Sequence, residues 1–479
     1  MSAAYSIVRK RNLTPHRGKK TAQAWKIISF AGINSPIKGY KYMKDTQLDL
    51  RERILKSVKE YYEKTFSARG FSAGDPIPYG GRVFDENELL YLTEAVLDFW
   101  LTTGRFNTEF EQSLASYIGV KHCYTVNSGS SANLLAFMAL TSPLIEPRRR
   151  ILRGDEIITT ACGFPTTITP IVQYGAIPVF VDVKIPSLNI DVEMLEAAVS
   201  EKTKAVMIAH TLGNPFDAAA VKSLCDKYNL WLIEDNCDAL GSVVNERKTG
   251  SFGDVGTSSF YPPHHITMGE GGAVYTDNPL LAKIMLSMRD WGRDCVCQSG
   301  QDNRCGHRYD GQFGSLPPGY DHKYVYSHFG YNLKITDIQA AIGCAQLKKL
   351  PEFVKRRQEN WLYLRDALSS LKDKLILPEP QTGSEPSWFG FAVTMVNGGR
   401  AEMLRHLEKK KIQTRLVFAG NIIMQPCFEN MRENDDYRVI GNMPNTNKIL
   451  NDTFWIGVYP GMNKEMLKTM ADAVREFFI

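Results

Sequence analysis

No run of 18 apolar residues occurs in the sequence, so no segment has the length needed to cross a bilayer as a helix, and no membrane partner is expected. Acidic residues are missing altogether from the first 44 positions, which hold ten Lys and Arg. That stretch also lacks the continuous apolar core and the small-residue cleavage site of a secretory signal, its IISFAG patch at 27–32 being too short. Taking its ten basic residues from the total of 57 Lys and Arg leaves 47 against 52 Asp and Glu, so the remainder is mildly acidic. The formal charge of +5 therefore belongs to the extension, and no nucleic-acid partner is indicated. There is no internal repeat and no low-complexity tract.

Residues 1–44 read as a basic, disordered extension, accounted for by an upstream-misread start codon or, less well, by an amphipathic transit peptide. Met43 followed by KDTQLDLRERILKSVKEYYEKTF looks like a natural beginning, because Leu48, Leu50, Ile54, Leu55, Val58 and Tyr62 recur at helical spacing. Nine cysteines in 479 residues suit neither a disulfide scaffold nor secretion, and a cytoplasmic location is expected. Cys123, Cys162, Cys225, Cys344 and Cys427 sit singly among apolar neighbours and read as buried spectators.

The chain is longer than one comfortable core of about 250–300 residues, so a large domain with a smaller one attached is expected. Between 120 and 280, β-rich runs (HCYTV 122–126, DEIITT 155–160, IPVFVDV 177–183, KAVMIAH 204–210, LWLIED 230–235) alternate with helical segments such as SSANLLAFMAL 130–140 and AAAVKSLCDKYN 218–229. This predicts an α/β fold with a largely parallel sheet covered on both faces, its ligands at the carboxyl ends of the strands. Residues 290–323 turn Gly-rich and poor in aliphatics, a long irregular loop of the kind that usually carries function. A helix resumes at 336–350 with Thr336 or Asp337 as its cap, and strand-like runs at 387–396 and 453–460 mark a smaller α+β region. The expected division is 45–349 for the N-terminal helices and the large domain, and 350–479 for the small C-terminal domain.

Five segments carry chemistry. NSGSSANL at 127–134 is a Gly/Ser turn opening a helix, where free N–H groups and the helix dipole favour an anion. GFPTT at 163–167 holds Phe164, which unaided reads as core, and IEDNCDALGS at 233–242 holds Asp235, which unaided reads as a cap or turn residue. SFYPPHHITMGEGG at 259–272 holds His264 and His265, and GYNLKITD at 330–337 holds Asn332. In this order they resemble the DegT/DnrJ/StrS sugar aminotransferase family over roughly 45–479, with His264 standing where that family carries its Schiff-base lysine.

The resemblance implies a fold-type I PLP-dependent transferase. It implies a cofactor site with Gly129 and Ser130 at the phosphate, Phe164 stacked on the pyridine ring, Asp235 paired with the ring nitrogen, and Ser259 alongside. Asn332 matches a position that reaches the neighbouring subunit's phosphate, which implies a homodimer. Without the lysine the cofactor must be held non-covalently and supplied as the amine, pyridoxamine phosphate. An imidazole with an ordinary pKa near 6.5 suits proton transfer, so His264 is the expected base at the cofactor's C4' carbon. His265 is expected to be structural or to face solvent.

Cys237, Cys295, Cys297 and Cys305 are spaced C-x57-C-x-C-x7-C. Zinc, a 2Fe-2S cluster and chance clustering all remain open on spacing, although C-x-C is tighter than usual zinc pairs. The cysteines and His264 together resemble the iron-sulfur 3-dehydrase branch of the family, which implies a 2Fe-2S cluster on those four thiolates beside the cofactor. The activity so implied is C3 dehydration of a CDP-linked 4-keto-6-deoxyhexose, with two electrons delivered singly from a separate NAD(P)H-dependent flavin and iron-sulfur reductase. The rivals are a glutamate-dependent PLP sugar 3-dehydrase without a cluster, and a catalytically inactive metal-binding protein of the same fold.

Overall fold

The computed structural model describes residues 45–66, 70–297 and 299–479, so the expectations placed on 1–44 lie outside the described residues. The chain divides after Arg51 into two units, of which Glu52–Ile479 carries the fold. The helix expected from the apolar spacing after Met43 is present over Asp45–Thr65.

The main sheet has eight strands: β1 (His122–Val126), β2 (Glu156–Thr160), β3 (Ile177–Val181), β4 (Thr203–Ala209), β5 (Trp231–Asp235), β6 (Val255–Ser259), β7 (Gly272–Thr276) and β8 (Arg438–Val439). Their spatial order is β1-β7-β6-β5-β4-β2-β3-β8. Every neighbouring pair from β6 to β8 along that order is parallel, and β7 runs against both β1 and β6. The five expected strands are all present, but β6 and β7 were not foreseen. Their sequences, VGTSS and GAVYT, are rich in small residues and lack the aliphatic run of a buried strand, yet every position in both is buried. β6 tolerates its hydroxyls because they are bonded, Thr257 Oγ1 donating to Asn133 Oδ1 at 2.7 Å and Ser258 Oγ lying 3.0 Å from Tyr275 Oη.

A second, antiparallel sheet joins Leu375–Ile376, Gly390–Met395, Thr453–Gly457 and Thr414–Arg415 in that order. Its core includes Trp361, Phe391, Val393, Phe454, Ile456 and Met470. The helix expected over 336–350 starts as foreseen, with Thr336 and Gln339 forming a capping box, but continues to Leu368. Pro351 lies inside it and costs about 3 kcal/mol. The buried side chains that follow, Phe353, Trp361, Leu364 and Leu368, contribute roughly 1.5–3 kcal/mol each and outweigh that cost. Residue 350 is thus interior to one continuous helix.

Among the described residues between Arg289 and Asp337, a short 3-10 turn at His322–Tyr324 is the sole regular element apart from isolated bridges, as the composition of 290–323 predicts. Four of the five spectator cysteines are buried. Cys427 is not: in the turn Pro426–Phe428 it is Phe428 that enters the core, leaving Cys427 exposed. Among the described residues no helix is long and apolar enough to cross a membrane.

Candidate active site

β1, β2, β5 and β6 deliver their carboxyl ends to one edge of the sheet, and the residues singled out in the sequence follow those ends directly. Asp235 closes β5 and is buried. One carboxylate oxygen accepts from Asn133 Nδ2 and Thr167 Oγ1, both at 2.7 Å; the other accepts from the Cys237 N–H at 3.2 Å. Three donors satisfy a buried carboxylate and fix where it points. Asn133 and Thr167 lie within NSGSSANL and GFPTT, but sequence reading assigned them no role.

After β1, Ser128 caps the helix Gly129–Ala139 by accepting the Ser131 N–H at 3.1 Å. Gly129 is required by close approach, since a Cβ there would stand 2.4 Å from Ser259 Cβ and 3.1 Å from Cys237 Sγ. The absent side chain therefore brings a helix N-terminus, with its partial positive charge, against the ends of β5 and β6. Ser130 Oγ donates to Thr166 Oγ1 at 3.1 Å, linking this turn to GFPTT. Phe164 is 47% exposed, with its ring edge-on to Phe418 at 6.2 Å, so it is a surface available for stacking and not the core residue it resembles in isolation. Asn332 is exposed away from these groups in sequence, its Oδ1 accepting from Lys334 Nζ at 2.9 Å. Helix terminus, exposed aromatic and buried carboxylate together fit a flat, anionic, ring-nitrogen cofactor.

His264 lies in the turn between β6 and β7, its ring 5.1 Å from Phe389 and its Nδ1 3.5 Å from Asp238 Oδ1. Burial pulls the imidazole down to about 4, partly opposed by Asp235 and assisted by the Arg357 guanidinium. At neutral pH the ring is therefore uncharged, with a lone pair able to take a proton. Asp238 lies within IEDNCDALGS, where nothing in its sequence context sets it apart. Burial, then the neighbouring Asp235, push it up to about 8, so it is protonated at neutral pH. His264 Nδ1 and Asp238 Oδ2 are both buried without a hydrogen-bond partner. His265 is buried and structural, its Nε2 2.7 Å from the Ser387 carbonyl oxygen.

Of the four cysteines, three come together. Cys295, Cys297 and Cys305 line one small pocket with Asn303, Arg308, His322 and Lys323. Each of the three sulfurs accepts a backbone N–H at 3.4 Å, from Cys297, Arg304 and His307 respectively, while burial raises the Cys295 thiol. The His322 hydrogen bond, followed by the His307 N–H, lowers the Cys305 thiol. Cys237 is not among the lining residues; it abuts Gly129, and burial followed by Asp235 pushes its thiol well above the ordinary range. Among the described residues no group of three or more His, Cys, Asp or Glu is arranged to hold a metal ion.

Residues 83–475 match the model of the DegT/DnrJ/EryC1/StrS aminotransferase family. The chain is 54% identical over 437 residues to the lipopolysaccharide biosynthesis protein RfbH of Salmonella typhimurium, covering 90% of this chain and 99% of that protein. It is 47% identical over 432 residues to the dTDP-4-dehydro-2,6-dideoxy-D-glucose 3-dehydratase of Saccharopolyspora spinosa, covering 90% and 92%. A solved structure of E. coli GDP-4-keto-6-deoxy-D-mannose-3-dehydratase with bound hydrated PLP superposes with a TM-score of 0.74 at 29% identity, over 83% of this chain and 99% of that one. The parallel sheet with its single reversed strand is thus the fold-type I architecture of PLP-dependent enzymes. On sequence and on architecture alike, the chain belongs to the DegT/DnrJ/EryC1/StrS aminotransferase family.

Proposed function

We propose that the chain is a nucleotide-sugar 3-dehydratase that uses pyridoxamine phosphate to remove the C3 hydroxyl of a 4-keto-6-deoxyhexose. The observation that carries this reading is His264, an uncharged imidazole in the turn after β6, where the family's lysine would stand. The named 3-dehydratases among the relatives support it. When bound, the cofactor supplies an amine for the C4 ketone and a ring that accepts electrons. Asp235, held by Asn133, Thr167 and the Cys237 N–H, keeps the ring nitrogen protonated. Gly129 and Ser130 receive the phosphate at the helix terminus, with Ser259 beside them; Phe164 covers the ring. His264 would take the proton from C4', with Asp238 Oδ1 3.5 Å from its Nδ1. Asn332 serves the partner's phosphate in a homodimer. In this reading 45–349 is the cofactor domain and 350–479 the small domain.

The finer reading is a CDP-linked substrate and a 2Fe-2S cluster on Cys237, Cys295, Cys297 and Cys305, fed by a NAD(P)H-dependent flavin and iron-sulfur reductase. Such a cluster would supply electrons one at a time. The N–H donors on the three loop sulfurs support it, whereas the placement of Cys237 against Gly129 favours the second reading, a glutamate-dependent dehydratase without a cluster. Anaerobic purification followed by the visible spectrum, iron content and extractable B6 form separates them. Two irons per chain with pyridoxamine phosphate supports the cluster; colourless, iron-free protein that turns over with glutamate supports the alternative.

A further inference from the structure

The helix Asp337–Leu368 places one arginine, Arg357, in the interior with 2% of its surface exposed. None of its hydrogen bonds goes to a carboxylate. Nη1 donates to the carbonyls of Trp388 at 3.1 Å and Phe389 at 3.4 Å; Nη2 donates to those of His264 at 3.2 Å and Pro263 at 3.4 Å. Nε is buried with no partner. A desolvated cation satisfied only by neutral carbonyls is costly to keep, and an apolar side chain would fill the same space more cheaply. Its value lies in what the four carbonyls belong to.

Two come from the turn that carries His264, and two from the segment entering strand Gly390–Met395, which carries Phe389. The rings of those two residues face each other at 5.1 Å with 32° between their planes. We propose that Arg357 is the positioning residue of the site, its planar guanidinium tying the His264 turn to the Phe389 segment and so fixing where the imidazole points. The inference rests on reading His264 as the base. Two neighbouring contacts hold the same turn. His265 Nε2 meets the Ser387 carbonyl at 2.7 Å, and the His264 N–H donates to Tyr261 O at 3.0 Å. Neither can replace Arg357, because neither grips the His264 and Phe389 carbonyls together. A lysine can do so only in part, since a point ammonium does not span a four-carbonyl fork.

The test uses the full chain loaded with pyridoxamine phosphate and CDP-4-keto-6-deoxy-D-glucose as probe, comparing R357M, R357K and H264N with the parent. Loss of the clamp should lower kcat for C3 oxygen exchange with labelled water about 100-fold in R357M, the scale of an ångström-sized misplacement of a reacting group. KM and the circular dichroism of the bound cofactor should stay as in the parent. R357K should recover part of the rate. In the cofactor-free chain, backbone amides of 261–268 and 389–390 should exchange faster in R357M while β5 and β6 stay protected. If R357M does not fold, R357K carries the test with the same split and a smaller loss. Parent kcat in a folded Arg357 variant overturns the inference, as does a loss traced wholly to cofactor release. Exchange at the parent rate in H264N instead overturns the assignment of the base, and the clamp with it.

Discussion

Replacing Gly129 by alanine tests how the cofactor cradle is built. The residue is helical, so the methyl meets no objection from the backbone, only from space. It would lie 2.4 Å from Ser259 Cβ, against the 3.5–4.0 Å or so of an ordinary carbon contact, so the two elements must part by more than about 1 Å. Ser259 cannot rotate out of the way, because the clashing atom is its Cβ, and β6 is paired on both sides. Overpacking of this kind costs about 1–3 kcal/mol. The helix terminus also moves off the phosphate position, so affinity for pyridoxamine phosphate should fall. Ser259→Gly removes the opposing Cβ, and the double variant G129A/S259G should be more stable than the sum of the single effects implies, by about 1 kcal/mol or more. Urea unfolding of all four proteins at one concentration gives the cycle, and titration with pyridoxamine phosphate gives the affinity. Parent stability and affinity in G129A, or an additive cycle, would refute the close approach.

His264→Lys should allow a borohydride-reducible link between the cofactor and residue 264, found by peptide mass analysis, with dehydration suppressed; parent dehydration without a link contradicts the site. Cys297→Ser replaces a sulfur that accepts the Arg304 N–H, so iron and reductase-coupled product should be lost while C3 oxygen exchange persists. Full iron content in this variant would refute the ligand assignment. Burial lowers His264 to about 4 and His265 well below its ordinary 6.5, so the unfolded chain binds more protons in that range. The stability from burying them neutral is present above pH 6.5 and lost as pH falls toward the folded values; for His264 it is on the order of 3 kcal/mol. Asp238, raised to about 8, contributes the opposite slope as pH rises through its range, so the informative quantity is the difference between the parent and H265Q. That difference should shrink on acidification from pH 6.5, and parallel curves would contradict it.

The sequence-legible parts of the fold were those whose side chains declare their surroundings. β2 to β5 carry aliphatic runs, and the helix Gly129–Ala139 follows a serine cap. β6 and β7 were not legible because β6 is buried with Gly, Ser and Thr, whose fit depends on hydrogen bonds to Asn133, far away in sequence, and to Tyr275 of β7. The helix expected over 336–350 runs on past Pro351 to Leu368 because the burial of Trp361 and Leu364, which offsets the local cost of the proline, is not visible in sequence. At the site, Asp235, Gly129 and His264 stood out by motif. The residues that aim them, Asn133, Thr167, Asp238 and Arg357, are ordinary in composition, and only the folded chain brings them to their partners.

Labelled water reads out C3 dehydration with His264 as base. Protein loaded with pyridoxamine phosphate is incubated anaerobically with CDP-4-keto-6-deoxy-D-glucose and no reductant, and the sugar is recovered for mass analysis. Heavy oxygen should enter at C3 in the parent and not in H264N. Recovery of a 4-amino sugar with its C3 oxygen unexchanged would contradict it, showing an aminotransferase in place of a dehydratase.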